Sequence, residues 1–373
     1  MKRAQIEKIV KDLEKKMVFI VGPRQVGKTW LAQEIAKTFT NAVYLNYDSL
    51  EDRQIIHNEA WLASTKLLVL DEIHRMVGWK NYLKGVFDTR PAHLSILVTG
   101  SARLDTFRQS GDSLAGRFFV HHLLPFTPQE LAAIDREIDL ERMEKRGGFP
   151  EPFLAKEDSD AERWRLFYAD SLIRTDVLDF EKIQDMRAMQ LVFELLRRRV
   201  GSPVSINSIA EDVQISPNTV KKYIAILEAL YIVFRVTPFS KNIARSLVKN
   251  AKIYFFDTGL VQGDEGARLE NMCALALLRH VLSLRDYEGI PALLYYLRTK
   301  EKKEVDFCVT INEEIENIIE VKTGQAAVSA SLKYFHTKYK LPAIQVVGSL
   351  KRERQVGDIQ VRDAVSFLSG LKI

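Results

Sequence analysis

Residues 22–29 read GPRQVGKT and match G-x-x-x-x-G-K-[ST] at every fixed position. An apolar run, Met17–Val21, precedes them and a helix-like pattern, Lys28–Lys37, follows. Strand, tight loop and helix start in that order make a cradle for phosphate. Gly22 and Gly27 permit the sharp backbone, with Pro23, Arg24, Gln25 and Val26 completing the loop. Its N–H groups can converge on anionic oxygens at a helix N-terminus, where the dipole also favours negative charge. Lys28 is then placed to reach the β- and γ-phosphates of ATP, and the Thr29 hydroxyl to ligate Mg2+.

A second stretch tests that reading. Residues 67–75, LLVLDEIHR, are a buried apolar strand ending in two carboxylates. Asp71 at the strand tip is expected to hold Mg2+, and Glu72 to orient and deprotonate the attacking water. The next apolar run, Leu94–Val98, leads into Thr99-Gly100-Ser101, and either hydroxyl can sense the γ-phosphate. Arg117, in LAGRFF ahead of a fifth run at Phe118–Leu124 (the second lies at Ala42–Leu45), is eligible as an arginine finger or as an ordinary ion-paired surface residue.

GPRQVGKT, LLVLDEIHR, ILVTGSAR and SLAGRFF, in that order and at these intervals, resemble the AAA-family ATPases. The resemblance covers about residues 1–140. It implies a five-stranded core in which the phosphate-loop strand lies beside the sensor strand. It also implies that Arg117 acts on a neighbouring subunit, hence a homo-oligomer that cycles between ATP and ADP. RGGFPEP at 146–152 and the later motifs resemble one prokaryotic group of that family. Its members append a winged helix and a restriction-endonuclease-like domain.

The rest of the chain fits an α/β architecture with several modules. Its 373 residues suggest two or three domains. The expected division is an ATPase core at 1–140, a helical lid at 141–195, a winged helix at 196–256 and a nuclease-like domain at 257–373. No apolar run approaches the roughly 18–20 residues that span a bilayer. The first residues, MKRAQIEKIVKDLEKK, lack the apolar core of a signal peptide. The only cysteines are Cys273 and Cys308, which excludes a disulfide scaffold and fits a reducing cytoplasm.

The net charge of +5 is local: residues 190–256 hold ten lysines and arginines against four acids. Within them, SINSIAEDVQISPNTVKKYIAILEALYIVFRV at 205–236 reads as two short helices and a strand. Ser205 or Asn207 can cap the first helix. Ser216 can cap the second, with Pro217 at its first position. Asn218, Thr219, Lys221 and Lys222 on the second helix are of the types that contact bases and phosphates, so DNA is the expected partner. A winged helix used only for packing is the alternative.

The last third places Glu270 on a helix, Asp306 in EVDFCV on a strand, and Glu320 and Lys322 in IIEVKTG on the next strand. Side chains two apart on a strand share a face, so Glu320 and Lys322 can join Asp306 under Glu270. Carboxylates with a lysine suit phosphodiester hydrolysis, with Asp306 and Glu320 as metal ligands. The ordered set resembles the PD-(D/E)XK nucleases, with Val305 where the motif has proline. The resemblance implies Mg2+-dependent DNA cleavage, or a nuclease fold kept for binding or assembly.

Overall fold

The apolar runs of the first third become β1 (Met17–Val21), β2 (Ala42–Asn46), β3 (Leu67–Asp71), β4 (Ser95–Thr99) and β5 (Phe118–His122). This is the arrangement in a computed structural model that describes residues 3–100, 114–172, 185–240, 250–324 and 327–373. The strands pair in parallel in the order β2-β3-β4-β1-β5. β1 and β3 are buried at every position, which is why their sequences do not alternate. Parallel neighbours need crossovers. Among the described residues three helices supply them after α1 (Ile6–Leu13): α2 (Lys28–Ala36), α3 (Leu50–Asn58) and α4 (Trp79–Thr89). One face of the sheet buries Phe19, Leu68, Leu70 and Val98 with Trp79 and Leu83. β1 lies between β4 and β5, so the phosphate-loop strand has the sensor strand as neighbour. The loop after β1 and the tips of β3 and β4 open on the same edge, because the strands run the same way.

The chain divides into two compact units, Met1–Leu124 with Ala229–Tyr231, and Pro125–Glu228 with Ile232–Ile373. The second begins with α5 (Pro128–Ala133), α6 (Leu140–Arg146), α7 (Pro150–Leu154), α8 (Asp158–Ser171) and α9 (Met186–Arg197). The breaker between α6 and α7 has a specific cause. Gly147 sits at φ +72°, and a Cβ there would stand 1.9 Å from Oδ1 of Asp257. Asp257 is buried, accepts the Gly259 N–H at 3.0 Å, and faces Arg165 at 3.6 Å. Burial raises its pKa, against the opposing pull of Arg165.

Next come α10 (Ile206–Val213), α11 (Pro217–Ala229), β6 (Val233–Pro238) and β7 (Lys252–Phe255). Of the two eligible caps on α10, Ser205 acts, accepting the Ser208 N–H at 3.2 Å. Ser216 accepts the Thr219 N–H at 3.1 Å and caps α11. β6 and β7 form an antiparallel pair, and β6 also pairs with a strand from later in the chain. They continue one eight-stranded sheet in the order β12-β13-β11-β10-β9-β8-β6-β7. Its other strands are β8 (Ala292–Arg298), β9 (Glu304–Ile311), β10 (Glu314–Lys322), β11 (Ala343–Val347), β12 (Arg354–Val356) and β13 (Ile359–Asp363). Strands from both sides of residue 256 thus share one sheet.

α12 (Glu265–Glu288) precedes β8, α13 (Ala330–Tyr339) joins β10 to β11, and α14 (Ala364–Ser369) follows β13. β8, β9 and β10 run antiparallel in turn, and β11 returns parallel to β10. Among the described residues, no helix is long and apolar enough to cross a membrane.

Gly147→Ala is expected to lower the urea midpoint of the second unit. A backbone at φ +72° and ψ −175°, a region essentially reserved for glycine, costs about 1–3 kcal/mol with a side chain, and Asp257 must also move. An unchanged midpoint would contradict this account of the breaker.

Candidate functional site

The first site forms where β1 turns into α2. Gly22 has φ +146°, and a Cβ there would stand 2.1 Å from the carbonyl oxygen of Leu123. The Leu123 N–H donates to the Val21 carbonyl at 2.8 Å, so the chain after β5 runs directly against the start of the loop. Gln25 (φ +59°) and Gly27 (φ +97°) complete the turn, and Val26 is buried beneath it. Lys28 is buried, and its amine donates to the carbonyls of Gly22 at 2.9 Å and Pro23 at 2.5 Å. Desolvation lowers its pKa to about 8, with Glu72 and Asp71 opposing. An ammonium folded back on its own loop can turn to a phosphate with little movement of backbone.

Asp71 is the centre of this site. It is buried, and its Oδ2 accepts hydrogen bonds from the hydroxyls of Thr29, at 2.9 Å, and Tyr44. Its Oδ1 accepts from the Thr99 hydroxyl and from the Glu72 N–H at 3.1 Å. Asp71 and Thr29, the two residues expected to hold Mg2+, are in direct contact. Sequence reasoning missed Tyr44, a polar tip on β2 whose pKa is raised by burial and by Asp71. Thr99 touches Asp71, whereas Ser101 lies outside the described residues. A hydroxyl and a carboxylate meeting beside a phosphate-type loop are hard oxygen donors, so these residues fit Mg2+.

Glu72 adopts φ +55°, unusual for a residue with a side chain, and its N–H also donates to the Thr99 carbonyl at 3.0 Å. Its carboxyl stands 3.5 Å from Nε2 of His74. Burial and the neighbouring Asp71 raise its pKa.

Arg117 is not part of this cluster. Its guanidinium grips Asp88 on α4 in two bonds of 2.8 and 2.9 Å. Phe118 pairs with Met17, so Arg117 stands at the start of β1, while the phosphate loop follows its end. Four strand steps, about 13 Å of rise, separate the two ends.

The second unit brings together Glu270, Asp306, Glu320 and Lys322, as the spacing suggested. Lys322 donates to Oε1 of Glu320 at 2.8 Å, and Oδ2 of Asp306 accepts the Val321 N–H at 3.0 Å. Burial raises the pKa of Glu270 and of Glu320, and Asp306 adds to both shifts. Three further residues belong to this cluster, and the sequence reading passed over them in that role. Tyr254 donates to Oε1 of Glu270 at 2.6 Å. Lys252 places Nζ 3.2 Å from Glu270, 3.0 Å from Glu304 and 3.2 Å from Asp306.

Lys252 was one of the ten cations assigned to a DNA-facing segment. It is instead buried inside the acidic centre. The signal was present in KIYFF, because a lysine opening an otherwise apolar strand must find carboxylates. Oε2 of Glu320 is buried without a hydrogen bond, but one oxygen does not make a divalent site. Among the described residues, no group of three or more acids, histidines or cysteines is arranged to hold a metal ion. As arranged, the centre does not fit a metal.

Three more of those cations are tied to acids: Arg197 to Glu194, Arg199 to Asp212 and Arg235 to Glu228. Lys241, Arg245 and Lys249 lie outside the described residues. Lys221 and Lys222 are exposed with Asn218 on α11, whose other face buries Val220, Tyr223, Ile224 and Leu227.

Residues 14–132 match the AAA domain family. Residues 137–266 and 265–366 match two domains of unknown function, DUF8612 and DUF4143. An uncharacterized protein of Mycobacterium tuberculosis is 24% identical over 89% of this chain and 76% of its own. One of Methanocaldococcus jannaschii is 23% identical over 95% of this chain and 85% of its own. A Walker-type ATPase of Pyrococcus abyssi is similar in structure, with TM-score 0.46 and 13% identity over 69% of this chain and 93% of that one. RuvB of Thermotoga maritima gives TM-score 0.31 and 20% identity over 62% of this chain and 88% of that one. The complete phosphate-loop motif, the parallel sheet and the match over residues 14–132 identify the first part of the chain as an AAA-type P-loop ATPase domain.

Proposed function

We propose that this chain is a Mg2+-dependent ATPase whose nucleotide state controls DNA binding by its second unit. The observation that supports it best is the Asp71 carboxylate, held by Thr29, Tyr44, Thr99 and the Glu72 N–H beside the phosphate loop. The backbone N–H groups between Gly22 and Gly27, Pro23 excepted, wrap the phosphates, and Lys28 leaves the Gly22 and Pro23 carbonyls to meet the terminal ones. Thr29 and Asp71 would hold Mg2+, which neutralises phosphate charge when bound. Glu72 orients a water in line with the γ-phosphorus and takes its proton, a role suited to a carboxyl whose pKa burial has raised. Thr99 keeps Asp71 in place. Arg117 stands at the far end of β1 in the grip of Asp88, and to act as a finger in a homo-oligomer it would release that carboxylate for the site of a neighbouring copy.

Lys28→Ala is expected to abolish nucleotide binding. Glu72→Gln is expected to bind ATP normally and to hydrolyse it at least about 100-fold more slowly. Calorimetry and steady-state turnover check both, and unchanged turnover in the two variants would refute the assignment.

The exposed Asn218, Lys221 and Lys222 on a capped second helix support DNA as the partner. Changing both lysines to alanine should weaken duplex binding and flatten its salt dependence by about two ions. Equal affinity and slope in the variant would exclude this surface.

The element order α12, β8, β9, β10, α13, β11 supports a nuclease-like fold for the last part of the chain. Two readings of it remain. Metal-dependent DNA cleavage by Glu270, Asp306, Glu320 and Lys322 is the activity that the motif suggests. A nuclease-like domain that binds or assembles without cutting is favoured by the ammonium of Lys252 among the carboxylates. A plasmid cleavage assay with Mg2+ or Mn2+, with and without ATP, separates them. Cleavage by wild type that Asp306→Ala abolishes would establish the first, and intact plasmid throughout would leave the second.

A further inference from the structure

We propose that the Lys252 ammonium is the resident cation of the acidic centre, and that it keeps divalent metal ions out. The inference rests on the second reading above and gives it a cause.

The geometry is that of a filled site. An ammonium has three N–H donors. Lys252 has three carboxylates within ion-pair distance: Glu270 at 3.2 Å, Glu304 at 3.0 Å and Asp306 at 3.2 Å. The backbone that delivers it is pinned on both sides. Lys252 pairs with Val236 of β6 and forms a bridge with Pro203. The ring of Tyr296 lies 5.6 Å from Nζ, adding a weak attraction to the buried charge.

The carboxylates are engaged elsewhere too. Oε1 of Glu270 also accepts from Tyr254, Oε2 of Glu304 pairs with Arg298 at 3.1 Å, and Oδ2 of Asp306 takes the Val321 N–H. Four carboxylates (Glu270, Glu304, Asp306, Glu320) thus face three cations (Lys252, Lys322, Arg298).

Distance and the ammonium already lodged among these oxygens both oppose a divalent ion here. Mg2+ binds oxygens at about 2.0–2.1 Å, roughly 1 Å closer than these oxygens stand from Nζ. Drawing them in would leave a buried ammonium beside a divalent ion, with little water to screen the repulsion. Removing the ammonium reverses the balance. Half-buried carboxylates crowded together without their cation favour protonation or the uptake of another cation. A divalent site is therefore latent in Glu270, Glu304 and Asp306, and Lys252 closes it.

The test is a Mn2+ titration of the nucleotide-free full chain, with free ion read by electron paramagnetic resonance. It needs no DNA, so its failure is distinct from the failure of the cleavage assay. Wild type and Asp306→Ala should bind the same number of ions. Lys252→Met should bind one more per chain, and Lys252→Met with Asp306→Ala should lose it again. Lys252→Gln, which keeps a polar tip without the charge, serves if Lys252→Met does not fold. A Mn2+ ion on wild type that Asp306→Ala removes would overturn the proposal. So would a folded Lys252 variant that gains no ion.

Discussion

Asp71 is a buried carboxylate at the end of a strand with no room for water on most sides, and the first unit is built around satisfying it. Each donor comes from a different element: Thr29 from α2, Tyr44 from β2, Thr99 from β4 and the N–H of Glu72 from the turn after β3. Pairing of β3 with both β2 and β4 makes this possible, because Asn46 and Thr99 lie in register with Asp71. The neighbouring β1 then delivers the phosphate loop to the same edge. Strand order, loop and carboxylate are therefore one constraint. A slip of one residue in β3 would turn Asp71 to the other face of the sheet and away from the Thr29 hydroxyl.

The two units solve the same problem in different ways. Hydroxyls and one N–H satisfy Asp71, and none of them carries charge, while Lys28 is occupied by the carbonyls of its own loop. Its negative charge is hydrogen-bonded yet not neutralised, which leaves a demand for a cation. In the second unit the carboxylates have Lys252 among them, and the demand is already met. A carboxylate cluster held by neutral donors suits an exchangeable metal, and one held by a buried ammonium suits permanence. This contrast is the physical basis for reading one site as catalytic and the other as closed.

Much of this was legible in the sequence. A phosphate loop has a strict spacing, and parallel strands buried on both faces read as unbroken apolar runs, so β1 to β5 stand close to where the runs fall. Ser216 was recognisable as a cap because it precedes Pro217 and an amphipathic helix, whereas the helix before it offered Ser205 and Asn207 alike and only the structure chooses Ser205. The period of two along β10 puts Glu320 and Lys322 on one face, and the resemblance of the ordered set to the PD-(D/E)XK nucleases groups them with Glu270 and Asp306. Other features left weaker traces. β12 is exposed at all three positions and has no apolar pattern. The pairing of β6 with β8 joins residues far apart in sequence, which no local pattern encodes. Lys252 was read by its charge alone, and its burial depends on Glu270, Glu304 and Asp306 arriving from α12 and β9. The local excess of positive charge is correspondingly smaller at the surface than the count suggests.

The most direct test of the account concerns Asp71 itself. ATP turnover of Asp71→Asn should be measured beside wild type at saturating ATP across a Mg2+ titration. The amide keeps the shape of the side chain but removes the charge that calls for the metal. The expected result is nucleotide still bound, with turnover reduced at least about 100-fold and not restored by added Mg2+. Turnover within about twofold of wild type would contradict the central role given to this carboxylate.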